Sequence, residues 1–453
     1  SVHVQEQKPS TQADARMARL LDALAADAAA TPTPALPIVP HAQRLPSGER
    51  GVSLDALRGL CDWLKRKGDK HLAPMGYICR GEGFDHSVCK LTAHTGLSLV
   101  ESLRRVAERE GVPHADLFGR GRNFFSYSWD GSTPAALCEA IESALADKAA
   151  EGGAAAPEFT WIDILTASQN LLGGVYRDPA VTREADPEGH AAREEDVNGM
   201  IAGALEAASE LFFFAAPLLG AWDAPAHAML VAERARPPQP WRRRGPYPMT
   251  RGWCLYELAK ALEVGLRLRV VLSAADRAGF EEMLVWNFEE IAKVLGEVDA
   301  RTAQVTNADD RRYILPQIEA IGGLGAATAT AQAALRRWLA DAGKAAVARL
   351  PAAEWAASAL PNAVGLLLKN QMGDLEGAEA LFREDLRVGR EVYGDRHQST
   401  LTSMANLGNL LKAMGDLVAA EALLREALEV AWEVRGDRHL ETLISIGNLV
   451  DLL

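Results

Sequence analysis

The chain has 453 residues, of which 48% are apolar and 24% charged, a balance typical of globular proteins. Its 48 Lys and Arg against 61 Asp and Glu give a formal charge of −13, which argues against a protein that neutralises nucleic-acid phosphates. Five cysteines are too few for a disulfide framework, and no apolar run approaches the ~20 residues of a membrane span, so we expect a cytoplasmic protein in a reducing compartment.

The first 120 residues fall into two segments of different composition. Residues 1–50 are rich in Ala, Pro, Thr and Ser, so we expect a disordered segment, with one Ala-rich helix plausible near Asp14–Ala29. Residues 51–120 are expected to form a helical lead-in. Apolar side chains recur at helical spacing in Ser53–Leu64, and a second helix is predicted over Ser98–Glu110.

Strands and helices alternate from residue 121 to residue 276, which we expect to be an α/β domain. Four apolar runs indicate buried strands, at Asn123–Trp129, Phe159–Leu165, Leu211–Leu219 and Arg267–Ser273. Apolar strands without polar alternation predict a parallel sheet covered on both faces. Right-handed crossovers place the strand at Phe124–Trp129 in the centre, between parallel strands from residues 159–165 and 211–217.

Beyond residue 276 the pattern is helical only. Residues 277–355 are expected to form a helical connector, and residues 356–453 contain a repeat. Two motifs recur 42 residues later: Met372-Gly-Asp374 as Met414-Gly-Asp416, and Gly394-Asp-Arg-His397 as Gly436-Asp-Arg-His439. A fixed period near 40 residues with two helices per unit predicts a helical solenoid. An array left open at Leu453 would expose an apolar face, so we expect a continuation or a partner there.

The C-terminal repeat resembles the tetratricopeptide family, in the 42-residue form found in kinesin light chains. The matching segments are residues 406–416, 419–427 and 436–443. Gly408 and Ala420 are small enough to let paired helices approach closely. The resemblance implies an array that binds a protein or peptide partner.

The middle region resembles TIR domains, in a subtype common in algal and other protist proteins. The resemblance rests on Phe124-Phe-Ser-Tyr-Ser-Trp129, on Trp161-Ile-Asp163 with the loop Ser168-Gln169-Asn170, and on Pro248-Met-Thr-Arg-Gly-Trp-Cys-Leu255. It implies a flavodoxin-like sheet and self-association or docking through this domain. The expected fold class is therefore α/β plus all-α, a TIR-like parallel sheet followed by a tetratricopeptide solenoid.

Glu257 is the candidate catalytic residue. It lies four residues after Trp253, so the two share one face of a predicted helix. In TIR domains that hydrolyse NAD, the glutamate in this position is catalytic, and a carboxylate can stabilise positive charge that develops on the ribose. In the alternative interpretation, Trp253, Cys254 and Leu258 are core residues and Glu257 pairs with an arginine such as Arg251.

Further candidate residues lie where open α/β sheets bind ligands, at the carboxyl ends of the strands. The candidate nucleotide-binding residues are Trp129, Asp130, Asp163, Trp222 and Trp253. Asp163 could form a carboxylate pair with Glu257, or it could cap a loop. Two departures weaken the enzyme interpretation: the loop Thr166–Gly174 lacks the charged Pro-Gly pattern of a TIR BB-loop, and the long insertion Ala226–Pro248 could block a pocket.

No metal site is predicted, because the spacing of Cys79, His86, Cys89 and His94 fits no common zinc motif. Two hypotheses for the function remain. The favoured one is an intracellular signalling scaffold, whose repeat array binds a protein and whose TIR-like domain self-associates. The alternative is an NAD hydrolase that uses Glu257 and is regulated through the array. No cofactor is firmly predicted, and NAD would be the substrate of the alternative.

Overall fold

The computed structural model describes residues 12–31, 37, 39, 43–81, 83–129, 132–152, 158–170, 184, 187–215, 248, 251–303 and 311–452. The chain divides into two compact units. The first unit contains Ser1–Asp276 and Asp299–Ala331, and the second contains Arg277–Val298 and Gln332–Leu453. Asp130, Trp222 and the insertion before Pro248 lie outside the described residues, so the predictions made for them are not addressed by the structure.

The secondary-structure elements are numbered in chain order. The described strands are β1 (Gly51–Ser53), β2 (Phe118–Gly119), β3 (Gly121–Ser126), β4 (Phe159–Trp161), β5 (Glu210–Phe214) and β6 (Arg267–Val271). The described helices are α1 (Gln12–Ala30), α2 (Leu54–Arg66), α3 (Met75–Arg80), α4 (Val88–Thr92), α5 (Leu99–Glu110), α6 (Pro134–Ala150), α7 (Asp163–Thr166), α8 (Pro187–Ala207), α9 (Gly252–Glu263), α10 (Ala274–Gly296), α11 (Arg311–Ala320), α12 (Gly323–Val347), α13 (Ala352–Ala357), α14 (Leu360–Leu367), α15 (Leu375–Tyr393), α16 (Gln398–Met414), α17 (Leu417–Arg435) and α18 (Leu440–Val450).

The six strands form one sheet in the order β2–β1–β4–β3–β5–β6. Its central strand β3 is parallel to both neighbours, with Phe124 opposite Trp161 of β4 and Leu211 of β5. The predicted position of the central strand is therefore confirmed. The prediction of a wholly parallel sheet is wrong at one edge, because β1 is antiparallel to both β4 and β2.

The segment 51–120 is part of the same core as the sheet. It contributes β1 and β2 to the sheet, and helices α2 and α5 bury Leu57 and Leu103 in a cluster that also contains Phe125 and Phe212. The expected helical lead-in is thus a mixed segment that completes the α/β layer. Its two strands have only three and two residues, too few to show a strand pattern in the sequence.

Helix α1 lies within the segment that was expected to be disordered. Its Leu20 and Leu21 are fully buried, and the Trp63 indole of α2 donates a hydrogen bond to Asp22 at 2.7 Å. Helices α1 and α2 approach each other at Gly59 of α2, where an added Cβ would lie 2.6 Å from the Met17 side chain of α1. Packing against a neighbour stabilises a helix that propensity alone leaves marginal, and the sequence allowed a helix near Asp14–Ala29 within this segment.

The expected connector 277–355 is helical in its described residues. Helix α11 and the start of α12 belong to the first unit, whereas most of α10 and the rest of α12 belong to the second. Within the second unit, Gln332 Nε2 donates to two carbonyls at the C-terminal end of α10, that of Gly296, its last residue, and that of Val298 just beyond it (both 2.8 Å). These bonds satisfy carbonyl groups that the end of a helix leaves without partners.

Helices α14 to α18 form the repeat array, whose paired helices touch at small residues. Ala420 is fully buried, and a Cβ on Gly408 would lie 2.7 Å from Leu424. Gly365 packs closely against Phe382 in the same way. It precedes Gly408 by one residue more than the 42-residue repeat period. A π-helical turn at Leu368–Met372 contains the extra residue, so the structural repeat is kept although the sequence register shifts.

Candidate functional site

Several of the candidate residues meet at the carboxyl ends of β3 and β4. Asp163 lies two residues after the end of β4 and begins α7. Its Oδ1 accepts a hydrogen bond from Tyr127 Oη and its Oδ2 accepts one from Trp129 Nε1, both at 2.7 Å. The backbone N–H of Ile164 also donates to Oδ1 at 2.6 Å. Removal from water raises the pKa of Asp163, and these hydrogen bonds act in the opposite direction. Trp129 and Asp163 are thus brought together, as expected for one site.

Glu257 lies on α9 and faces the same edge of the sheet. Its side chain is only 7% exposed, and its Oε2 accepts a hydrogen bond from Ser126 Oγ at 2.5 Å. Loss of water raises the pKa of Glu257 to about 8, the Ser126 hydrogen bond opposes this shift, and the negative charge of Asp163 adds to it. At pH 7 most of the molecules therefore carry a protonated Glu257. The pairing of Glu257 with Asp163 stays a prediction.

The residues that precede Glu257 on α9 have two different environments. Cys254 is buried, and its Sγ donates to the backbone carbonyl of Tyr127 at 3.4 Å. Trp253 is half-buried, and its ring meets Tyr256 edge-on at 6.2 Å. Cys254 is therefore a core residue, as the alternative interpretation expected. Trp253 is not fully buried and remains a candidate ligand contact.

The loop Ser168-Gln169-Asn170 is buried, and the hydrogen bonds of its side chains fix the position of the site. Gln169 Nε2 donates to the backbone carbonyl of Asp163 at 2.9 Å. Ser168 Oγ donates to the carbonyl of Gly96 at 3.1 Å, and Asn170 Nδ2 donates to a carbonyl of α4 at 2.9 Å. The loop therefore holds Asp163 in place and joins β4 to the segment before residue 120. Its polar side chains are therefore used in hydrogen bonds inside the fold.

Two serine hydroxyls near the end of β3 are buried without a hydrogen-bond partner among the described residues. Ser128 is 3% exposed and Ser132 is 1% exposed. A buried hydroxyl without a partner is unfavourable, so such groups mark places where water or a ligand can bind. Ser128 was expected near the carboxyl ends of the strands, whereas Ser126 and Ser132 were not predicted as site residues. The sequence signal was the position of the serines, since Ser126 is the last residue of β3 and Ser128 follows it by two residues.

No described group of three or more His, Cys, Asp or Glu side chains is arranged to hold a metal ion. Within the candidate zinc motif, the His86 ring instead contacts Trp63 at 5.4 Å, and Cys79 Sγ contacts Gln169 at 3.5 Å. Among the described helices, none combines the length and the apolar character needed to cross a bilayer.

Comparison with known proteins identifies the repeat array. Residues 356–431 match the family model of the tetratricopeptide repeat. No curated protein and no solved structure matches the chain. The matched residues contain α14, α15 and α16 and most of α17, the helices that pack through Gly365, Gly408 and Ala420. The C-terminal part of the chain is therefore a tetratricopeptide-repeat array, the type of module that mediates protein–protein interactions.

Proposed function

We propose that this protein is an interaction scaffold whose tetratricopeptide array binds an acidic segment of a protein partner. The observation that carries the proposal is the family match over residues 356–431. We further propose that the array is of the kinesin light chain type and that the protein works in the cytoplasm. The charge distribution over the array indicates which face the partner uses.

The first helices of successive repeats carry a row of polar and basic side chains. Asn406 Nδ2 donates to Asn362 Oδ1 at 2.5 Å, across two repeats. Lys412 Nζ donates to the backbone carbonyl of Asp451 at 3.0 Å. The pKa of Lys369 is lowered, first by removal from water and then by the positive charge of Lys412. Two ammonium groups thus share one surface, and an acidic ligand would relieve their repulsion.

The second helices of the repeats differ, because several of their arginines are paired with glutamates of the same helix. Arg383 lies 2.7 Å from Glu379, and Arg425 lies 2.6 Å from Glu421. Arg387 pairs with glutamates on both sides, at 2.6 and 2.7 Å. Charges that are already compensated attract a partner weakly. The row of polar and basic side chains on the first helices is therefore the better surface for binding an acidic segment.

Replacing both Lys369 and Lys412 with alanine should weaken capture of the partner by about tenfold or more, because hydrogen bonds to charged groups are lost. The measurement is quantitative capture of proteins from cell extract on the full-length chain, at two salt concentrations. The control carries Arg383→Ala with Arg425→Ala, which removes two positive charges from the second helices. Equal capture by both double variants would contradict the proposed face.

We also propose that the α/β domain is TIR-like and self-associates or docks onto other proteins. The parallel centre of the sheet and the packing of α9 through Cys254 support this proposal. A second function, NAD hydrolysis, is favoured by one observation: Glu257 and Asp163 each accept hydrogen bonds from residues at the carboxyl end of β3, the usual ligand side of such a sheet. In that case Glu257 has to lose its proton and become accessible before it can stabilise a cationic ribose.

If the chain hydrolyses NAD, the rate of nicotinamide release should rise with pH towards 8, as Glu257 ionises. Glu257→Gln should lower the rate by about 10²–10³, because one electrostatic contact to the transition state is lost. The assay is release of nicotinamide from NAD at high protein concentration. Glu263→Gln, at an exposed position on the same helix, is the control. Undiminished turnover in Glu257→Gln would reject this site, and absence of turnover at every pH would reject the enzyme.

A further inference from the structure

Two cysteine thiols from different helices of the first unit face each other. Cys61 lies on α2 and Cys138 on α6, 77 positions later in the chain, and their Sγ atoms are 3.2 Å apart. Both cysteines are free, and each residue is partly exposed. A disulfide bond is about 2.0 Å long, so the two sulfurs need to approach by about 1.2 Å.

An ion pair next to the thiols holds the two helices together. Arg58, three residues before Cys61, lies 2.9 Å from Glu142, four residues after Cys138. Arg58 also lies 2.9 Å from Asp55 on its own helix, which fixes its side chain. The apolar faces of α2 and α6 belong to one buried cluster. The approach of the sulfurs therefore requires rotation of side chains and no separation of the helices.

The surroundings also distinguish the two sulfurs. The pKa of Cys138 is raised, first by its hydrogen bond with Cys61 and then by burial, and the charge of Arg58 acts weakly in the opposite direction. The thiolate is the reactive form of a cysteine, so the raised pKa disfavours Cys138 as the first of the two to react.

We propose that Cys61 and Cys138 form a redox-sensitive pair that hydrogen peroxide oxidises to a disulfide. The Cys61 thiolate attacks one peroxide oxygen, the O–O bond breaks, and the departing hydroxide takes up a proton to leave as water. Cys61 is then a sulfenic acid. The Cys138 sulfur attacks the Cys61 sulfur, the S–O bond breaks, and a second water leaves with the Cys138 proton. Two thiols lose two electrons in total, and one peroxide is reduced to two waters.

The bond would link a helix that precedes the central strand to the helix that follows it. It closes a loop of 77 positions, and closing a loop reduces the conformational freedom of the unfolded chain. The oxidised protein should therefore resist heat better than the reduced protein. Peroxide would in this way act as a signal that rigidifies the α/β domain.

The experiment treats the full-length protein with hydrogen peroxide, blocks the remaining thiols, and maps the peptides by mass spectrometry without reduction. We expect one intramolecular Cys61–Cys138 link, three blocked thiols in place of five, and a rise in the melting temperature of roughly 5 °C or more that dithiothreitol reverses. Cys138→Ser should give no link and should leave Cys61 as a sulfenic acid that dimedone labels.

Cys89→Ser is the control, since it removes another half-buried thiol and should leave the link unchanged. Each reduced variant is first compared with the reduced wild type by melting temperature, so that a folding defect is recognised. Five reactive thiols after peroxide treatment would overturn the proposal. A link through Cys79 and Cys89, or a link between chains, would overturn it as well.

Discussion

Replacing Glu257 with glutamine should stabilise the first unit, and the gain should grow as the pH rises. The pKa of Glu257 is about 8 in the folded protein, against 4.5 for an ordinary glutamate. A raised pKa in the folded state contributes stability that is complete below about pH 4.5 and is lost as the pH passes through 8. The lost stability is on the order of 5 kcal/mol for a shift of this size. Glutamine does not titrate, and its carbonyl can still accept the hydrogen bond from Ser126.

The test compares urea unfolding of the wild type and Glu257→Gln between pH 5 and 9, followed by hydrogen exchange of the β3 and β5 amides. The two proteins should be alike near pH 5 and should diverge at higher pH. Glu139→Gln, which removes an exposed carboxyl from α6, should follow the wild type throughout. Curves of wild type and Glu257→Gln that stay parallel would mean that Glu257 is already ionised at neutral pH.

Phe382→Ala should destabilise the repeat array by about 3–5 kcal/mol, because it leaves a cavity between paired helices. Phe382 is fully buried, and its ring occupies the space that Gly365 leaves open, since a Cβ there would lie 2.3 Å from the ring. For a unit of this size we expect the melting temperature of the array to fall by about 10 °C or more. Tyr393→Ala, at a 39% exposed position on the same helix, is the control.

A second substitution tests the same contact from the other side. Gly365→Ala should destabilise the wild type, because its methyl group meets the ring of Phe382. In the Phe382→Ala background the same change should cost much less, so the two effects should not add. Additive effects, or a Phe382→Ala protein no less stable than Tyr393→Ala, would contradict the packing described for this pair.

The parts of the fold that could be predicted are those with a local pattern. The apolar run at Asn123–Trp129 indicates a buried strand by itself, and the motif at Met372 and Met414 recurs at a fixed interval. The edge strands β1 and β2 could not be predicted, because they are defined by their pairing with β4 and with each other. The π-helical turn was equally hidden, since it shifts the position of Gly365 relative to the repeat.

The sequence allowed a prediction of where the candidate residues lie, but not of their protonation states. Glu257, Asp163 and Trp129 were placed at one edge of the sheet, and the structure brings Asp163 and Trp129 into direct contact there. The protonation of Glu257 depends on Ser126 and on burial, which come from elements far apart in the sequence. The hydrogen bond from Gln169 to the backbone carbonyl of Asp163 likewise follows only from the fold.

The position of β1 in the sheet determines which segment of the chain a gene fusion has to carry to transfer this domain to another protein. β1 covers the outer edge of β4, so a segment starting at residue 121 would leave the backbone N–H and C=O groups of that edge open to other chains. It would also uncover apolar surface that α2 and α5 now shield. A gene fusion that carried residues 121–276 alone would produce an aggregating product. The segment that has to be inherited as one unit therefore begins before residue 121 and includes β1. Recombination breakpoints that preserve function have to lie outside this segment.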